Sequence, residues 1–527
     1  MAWMNQKNFK VFVQCFLALV IALSFLFAFC SRVPFNADEF TTYKVVSCLS
    51  YPNKNLENFY DVCKRLELAV IPSWYLPLRS FSYAGSLPGF IYLPFFKLWP
   101  SPYSARLLSL GMLAIQAFLL FKLFRVNFLA NYLFLLLFMP YAFQNVADTG
   151  PVSMHMASIY LIVYLTYRWL QGLENKERSV GRYPAMIGIL IFLGIWIKLS
   201  YFFILPGLGF LLVCMVSEQW LKWNSEQKTA FWRGTLVMAL ITVTLSGLLL
   251  YSQDHAGGHY YQVLQTHPLS RPWGINDIVK HFFRGLAHYI FDPITAVHYL
   301  YYNIIPRPFS WEGIVFIGLT FTFLIGGWSW VYRQKGRPIF AMAAFGSFLV
   351  TFLCLSLSIR TWAMHHVVLS YPFLILAVFS TYSRLPKKPI VALFLVVFVV
   401  TNIHLYFHLS HLKPPPWRTH PQLWSFNQLL NQRFGNRVVF VVLDWWMYNI
   451  KALYGEKDQC VIGIFRFKTE EQIASLKRDL KRVGKTPVFI IRANNRKMWI
   501  LMHQAAHGLQ KVPVEIKVAP WQVWKAQ

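Results

Sequence analysis

Acidic residues are scarce in this chain: 21 Asp and Glu stand against 50 Lys and Arg over 527 residues, a formal net charge of +29, and charged residues of all kinds make up only 13%. Soluble domains carry about 25% charged residues, so a wholly soluble globular protein is excluded. Apolar side chains take their place, with 56% hydrophobic and 18% aromatic residues, the composition of a polytopic membrane protein. A basic excess can serve nucleic acid, but beside this hydrophobicity it points to anionic lipid, and nucleic acid is set aside as a partner.

Cysteine is also rare. The seven residues form no metal-type CxxC pair; Cys48 and Cys63 share one loop, where a disulfide and two free thiols both stay open. The chain has no tandem repeat, no low-complexity tract and no glycine-rich nucleotide loop. Its first apolar run lacks a small-residue cleavage site, so it reads as a retained anchor. No acid ahead of residue 412 falls in the middle of an apolar run. Proton- or sodium-coupled transporters bury an ionisable group near the midplane, so the pattern suits an enzyme at the membrane face better than a pump.

The apolar runs predict eleven spans, at 11–30, 104–123, 127–145, 152–170, 184–198, 200–217, 234–251, 312–332, 338–357, 366–383 and 389–408. The segment 87–99, broken by Pro88 and Pro94, is short for a span and reads as a surface or re-entrant helix. With that segment uncrossed, Lys122 and Arg125, the loops 168–182 and 218–233, and the turns 333–337 and 384–388 all fall on the side of Lys7 and Lys10, as the positive-inside rule requires. The N-terminus is then cytoplasmic and the C-terminus outside. Residues 1–410 form the membrane domain, with large outer loops at 31–103 and 252–311. Beyond the linker Pro414-Pro415-Pro416, residues 412–527 read as a small soluble extracytoplasmic α/β domain. Strands are predicted at 438–443, 461–465 and 488–491, and a charged helix at 470–482. This domain carries 19 basic and 7 acidic residues, which serves either an anionic membrane surface or plain solubility.

Chemistry is sought at the outer face. Asp38 and Glu39 follow the first span in Pro34-Phe35-Asn36-Ala37-Asp38-Glu39-Phe40. A carboxylate there can take a proton from a hydroxyl or amine, and its neighbour raises its pKa; the bland alternative is a cap on a surface helix. Asp148 lies on the same side. Lys198 ends an apolar helix ahead of Pro206 and offers a counter-ion to phosphate, or snorkels as an interfacial lysine. Arg79, Arg106, Arg271, Arg284 and Arg360 are further outer cations. His404, His408 and His411 share a helical face and admit either a metal or ordinary interfacial packing; the same holds for His365-His366.

An outer loop opening with Asp-Glu, a proline-bearing surface helix ending in Trp99-Pro100, and Ser104-Ala105-Arg106-Leu107 opening the next span resemble the GT-C superfamily of integral-membrane glycosyltransferases. The protein O-mannosyltransferases and lipid A aminoarabinose transferases are the most similar in pattern. Asp148, Ile197-Lys198-Leu199 and His365-His366 extend the resemblance, which covers roughly residues 10–410. It implies a polyprenyl-phosphate sugar donor, reaction at the outer face with inversion, Asp38 as base with Glu39 beside it, Asp148 as a second acid, and Lys198 on the donor phosphate. The family's Lys-Pro-Pro ahead of the surface helix is replaced by Gly85-Ser86-Leu87-Pro88, so a basic residue expected there is supplied by Arg79 or absent.

The resulting expectation is transfer of a hexosyl or pentosyl group from a polyprenyl phosphate to a lipid, glycan or protein acceptor, with membrane lipids as surroundings. The setting is a bacterial inner membrane with the site on its periplasmic side. Asp38, Glu39 and Asp148 are the catalytic candidates; Lys198, Arg79, Arg106, Arg271, Arg284, His365 and His366 are the binding candidates. No cofactor is assigned, and a divalent metal stays open. A transporter or flippase of lipid-linked sugar and a non-catalytic membrane scaffold are the alternatives.

Overall fold

The computed structural model describes residues 6–25, 67–71, 74–77, 85–99, 102–138, 151–177, 180–255, 311–334, 338–358, 368–385, 395–400, 402–404, 420–435, 437–442, 460–463, 484–492, 496–506, 508–512 and 521–526. Fifteen further residues are described in isolation or in short groups, among them Val46, Tyr141 and Asn145. Helices α1 (Gln6–Phe25), α2 (Leu87–Leu98), α3 (Pro102–Phe124), α4 (Phe128–Leu137), α5 (Pro151–Glu174), α6 (Arg182–Ile197), α7 (Leu205–Trp220), α8 (Ser225–His255), α9 (Trp311–Arg333), α10 (Ile339–Ser358) and α11 (Tyr371–Arg384) build the helical part. The segments Tyr103–Phe124, Leu199–Trp220 and Ser225–Ser252 are each long and apolar enough to cross a bilayer. On α8 the apolar side chains face outward, Leu236 being 60% and Val243 70% exposed. A surface of that kind needs lipid around it, and the chain is an integral membrane protein.

The bundle packs α3 on α5, α5 on α6, α6 on α8, α7 on α10 and α10 on α11. Every residue of α11 from Tyr371 through Thr381 is buried, as expected of a helix apolar on all sides at the centre of a bundle. Small residues let backbones approach, since lipid gives no hydrophobic drive for helices to associate. At Gly207 of α7 an added Cβ would overlap the Thr351 hydroxyl of α10. Polar contacts supply the rest. Gln116 donates its amide to Asn145 Oδ1 at 2.9 Å, Tyr141 donates its hydroxyl to Gln116 Oε1 at 2.6 Å, and all three side chains are buried.

Helix limits follow local chemistry, and two differ from the sequence reading. The expected span 127–145 yields a helix that stops at Leu137, because Pro140 follows closely and disfavours helical backbone before it. The expected loop 218–233 is helical from Ser225 onward. A capping box starts α8: Asn224 N–H donates to Gln227 Oε1 and Gln227 N–H to Asn224 Oδ1, each at 2.9 Å. The segment 87–99 is helical as α2, with Pro88 in its first turn. Strands β1 (Glu67–Ile71) and β2 (Trp74–Pro77) form an antiparallel hairpin within the 31–103 loop that periodicity did not reveal.

The C-terminal sheet contains β3 (Val438–Val442), β4 (Cys460–Gly463), β5 (Thr486–Arg492), β6 (Gln510–Val512) and β7 (Trp521–Lys525) in the order β4-β3-β5-β7-β6. β3 is parallel to β4 and β5, whereas β7 is antiparallel to β5 and β6. All five residues of β3 are buried, as a central parallel strand requires. Its side chains alternate between two cores. Val439 and Val441 join Phe489, Leu476 and Met502, the last from α13 (Arg496–Ala505). Val438, Phe440 and Val442 join Phe426 and Leu430 of α12 (His420–Phe434), in an apolar cluster that also takes in Tyr92 and Phe96 of α2, Ala105 of α3 and Ile197 of α6. The sheet is thereby tied to the end of the bundle where α2 begins.

Candidate active site

Lys198 breaks the path between α6 and the short 3-10 helix Leu199–Phe203. Its backbone is extended, at φ −164° and ψ 136°; its N–H donates to Gly194 O at 3.2 Å and its carbonyl accepts from Tyr201 N–H at 3.0 Å. Non-helical backbone at such a place is tolerated only inside protein or beside a cavity. The side chain is 2% exposed, so it does not snorkel into water. The extended joint also pairs with another segment, as Gly85 N–H donates to Ile197 O at 3.0 Å. Any Cβ at position 85 would fall on the Trp196 carbonyl oxygen. Only glycine fits, and through it the chain entering α2 is stitched beside Lys198.

His155 of α5 joins the same turn. Its Nε2–H donates to Gly194 O at 3.0 Å, the carbonyl that also holds the Lys198 N–H, and its ring packs 4.9 Å from that of Tyr201. Ser158 and Tyr201 share a hydroxyl contact of 2.9 Å. Arg106 of α3 is the second buried cation, also 2% exposed. One turn further along its face, Ser109 contacts the Tyr92 hydroxyl of α2 at 3.0 Å and the Ser153 hydroxyl of α5 at 3.4 Å. Arg106 and Lys198 each directly follow a member of one apolar cluster, Ala105 and Ile197. Four helices thus bring two cations to one end of the bundle. Burying a cation costs on the order of several kcal/mol unless negative charge lies beside it.

Arg106 and Lys198 are the site candidates that the structure describes and brings to one region. Asp38, Glu39, Asp148, Arg79, Arg271, Arg284, His365 and His366 lie outside the described residues, as do Arg360, Cys48 and Cys63. Tyr141 and Asn145, which lead toward Asp148 in the chain, are fixed by the buried amide network of Gln116. Among the described residues no group of three or more His, Cys, Asp or Glu side chains is placed to hold a metal. His404 is exposed, and its helical companions His408 and His411 fall outside the described set. Sequence reasoning missed His155 and Gly85. The first carried a signal, a histidine inside an otherwise apolar run; the second carried none, because its constraint comes from a carbonyl more than a hundred residues away.

No protein-family model matches the chain, and no curated protein matches it. Solved structures do. ArnT from Cupriavidus metallidurans, solved bound to undecaprenyl phosphate, superposes with a TM-score of 0.60 at 11% identity, over 99% of this chain and 98% of that one. The oligosaccharyltransferase AglB from Archaeoglobus fulgidus, solved with an inhibitory peptide and a dolichol-phosphate, matches with a TM-score of 0.45 at 12% identity over 94% and 71% of the two chains. The superposition runs along nearly the whole of both chains, and this chain shares the fold of ArnT.

Proposed function

We propose that the protein is a glycosyltransferase that moves a sugar from a polyprenyl-phosphate donor to a lipid, glycan or protein acceptor at the outer face of the membrane. The observation that carries this reading is the burial of Arg106 and Lys198 at one end of an ArnT-like bundle. Polyprenyl phosphate is an anion that arrives in the bilayer, and two desolvated cations match its head. In the step proposed, the acceptor oxygen or nitrogen attacks the anomeric carbon in line, the bond from that carbon to the phosphate oxygen breaks, and the phosphate leaves with the electron pair. Lys198 and Arg106 stabilise the charge gathering on it. Asp38 takes the acceptor proton, with Glu39 and Asp148 as neighbouring acids.

Arg79, Arg271, Arg284, His365 and His366 complete the proposed lining. The basic residue that the resemblance places ahead of the surface helix is Arg79 or is absent, and the Gly85 pairing sets Lys198 beside that position. Eleven spans, a cytoplasmic N-terminus, a periplasmic 412–527 domain and a bacterial inner membrane belong to the same proposal, as does hexosyl or pentosyl transfer; a divalent metal remains open. The test is the purified protein with a polyprenyl phosphate carrying a radiolabelled sugar. Label passing to a lipid, glycan or protein acceptor supports transfer. Label crossing the bilayer of a proteoliposome still attached to its carrier identifies a flippase, and label doing neither identifies a scaffold.

A further inference from the structure

The two peptide groups that flank the Lys198 α-carbon are both tied to one helix, α5. On the amino side, the Lys198 N–H donates to Gly194 O at 3.2 Å, and the same carbonyl accepts from His155 Nε2 at 3.0 Å. A carbonyl can only accept, so the fully buried imidazole carries a proton on Nε2. On the carboxyl side, the Lys198 carbonyl accepts from Tyr201 N–H at 3.0 Å, and the Tyr201 side chain is held in its turn. Its ring lies against Gly194, where any Cβ would come within 2.6 Å of it, and stands 4.9 Å from the His155 ring. Ser158 donates its one hydroxyl proton to His155 O at 2.7 Å, so across the 2.9 Å contact Tyr201 donates and Ser158 Oγ accepts. His155 and Ser158, three residues apart, share a face of α5.

We propose that His155, supported by Ser158, is a positioning residue for Lys198: by holding both flanking peptide groups against α5 it sets the backbone of the joint, and hence the direction in which the ammonium leaves it. The inference rests on the transfer reading above, in which that ammonium meets the donor phosphate. Extended backbone at Lys198 ends the regular ladder of α6, so groups on α5 fix what the helix itself no longer does. The same stretch of α5 reaches toward the other cation. Ser153, two residues before His155, contacts Ser109 at 3.4 Å, one turn along α3 from Arg106. α5 is therefore a common reference for Arg106 and Lys198, and a misplacement of about 1 Å caused from outside the chemistry can cost about 10²-fold in rate.

The experiment is a double-mutant cycle on the full chain, read by titration with a fluorescent polyprenyl phosphate. His155→Leu deletes the donor to Gly194 O and should weaken binding about tenfold. His155→Gln returns an N–H at similar reach and should restore most of the affinity. In a Lys198→Met background, His155→Leu should change binding no further, because its effect passes through the ammonium. Ser158→Ala, a milder change that carries the same cycle if His155→Leu does not fold, should lose less, and its loss should likewise vanish beside Lys198→Met. Parental binding by both single variants overturns the inference and leaves the transfer reading intact. An equal further loss in the Lys198→Met background also overturns it, since that marks a role in helix packing alone. A parent that binds no polyprenyl phosphate overturns the transfer reading itself, and this inference with it.

Discussion

Lys198 was legible as a charge stranded in an apolar run, and its burial sharpens what its removal should do. Lys198→Met keeps most of the volume and deletes the charge, so donor affinity should fall about tenfold or more, while Lys198→Arg should lose less; titration with a fluorescent polyprenyl-phosphate sugar measures both. Asp38→Asn keeps shape and hydrogen-bonding atoms but removes the proton acceptor, and turnover should drop by about 10² to 10⁴ with expression unchanged. Parental turnover in that variant would remove Asp38 from the mechanism. Gly85→Ala is a different kind of change. Its Cβ has no space beside the Trp196 carbonyl, so the stitch to Ile197 must open, at about 1–3 kcal/mol of stability. Thermal unfolding in detergent should report that loss, together with weaker donor binding because Lys198 shifts with it.

Elements were legible where a long apolar run specified them, as for α3, α7 and α8, and where proline punctuated them, as for α2. The reading failed where the cause was local hydrogen bonding or distant pairing. Asn224 and Gln227 announce the start of α8 in the sequence, yet the basic composition of that stretch was read as loop. β6 and β7 are short, and they gain their meaning only from antiparallel pairing with β5. The buried amide network belongs to this scale too, because it ties α3 to the segment that leads toward Asp148. Gln116→Leu strips Asn145 and Tyr141 of one partner each, and a helix contact of this kind inside a membrane protein is worth about 0.6 kcal/mol on average and up to about 1.7. The melting temperature of the variant should fall correspondingly, and Gln116→Asn should recover little because its amide is one methylene short.

At the scale of the molecule, charge scarcity and basic turns point to a membrane bundle from sequence alone, whereas the joining of bundle to sheet leaves no sequence signal. That union depends on Phe426, Leu430, Val438 and Phe440 sharing one cluster with Tyr92, Phe96 and Ile197, and nothing in the periodicity of either partner reports it. It does bear on topology. A sheet packed against the Lys198 end lies on the same side of the bilayer as that end; with that end outside, as proposed, a C-terminal alkaline phosphatase fusion should be active and a C-terminal fluorescent protein fusion dark. The reverse pair of signals would invert the whole arrangement, site included.

The capping box that starts α8 has one more consequence. The apolar segment Ser225–Ser252 runs 28 residues, which is about 42 Å of helix against a hydrocarbon layer of about 30 Å. Such a rod cannot stand upright and stay wholly within lipid; it slants, or it projects its capped end into the head groups. Because α6 packs along α8, a slant taken up by α8 would be shared by the helix that ends at Lys198, and donor turnover compared between thin and thick bilayers would report it.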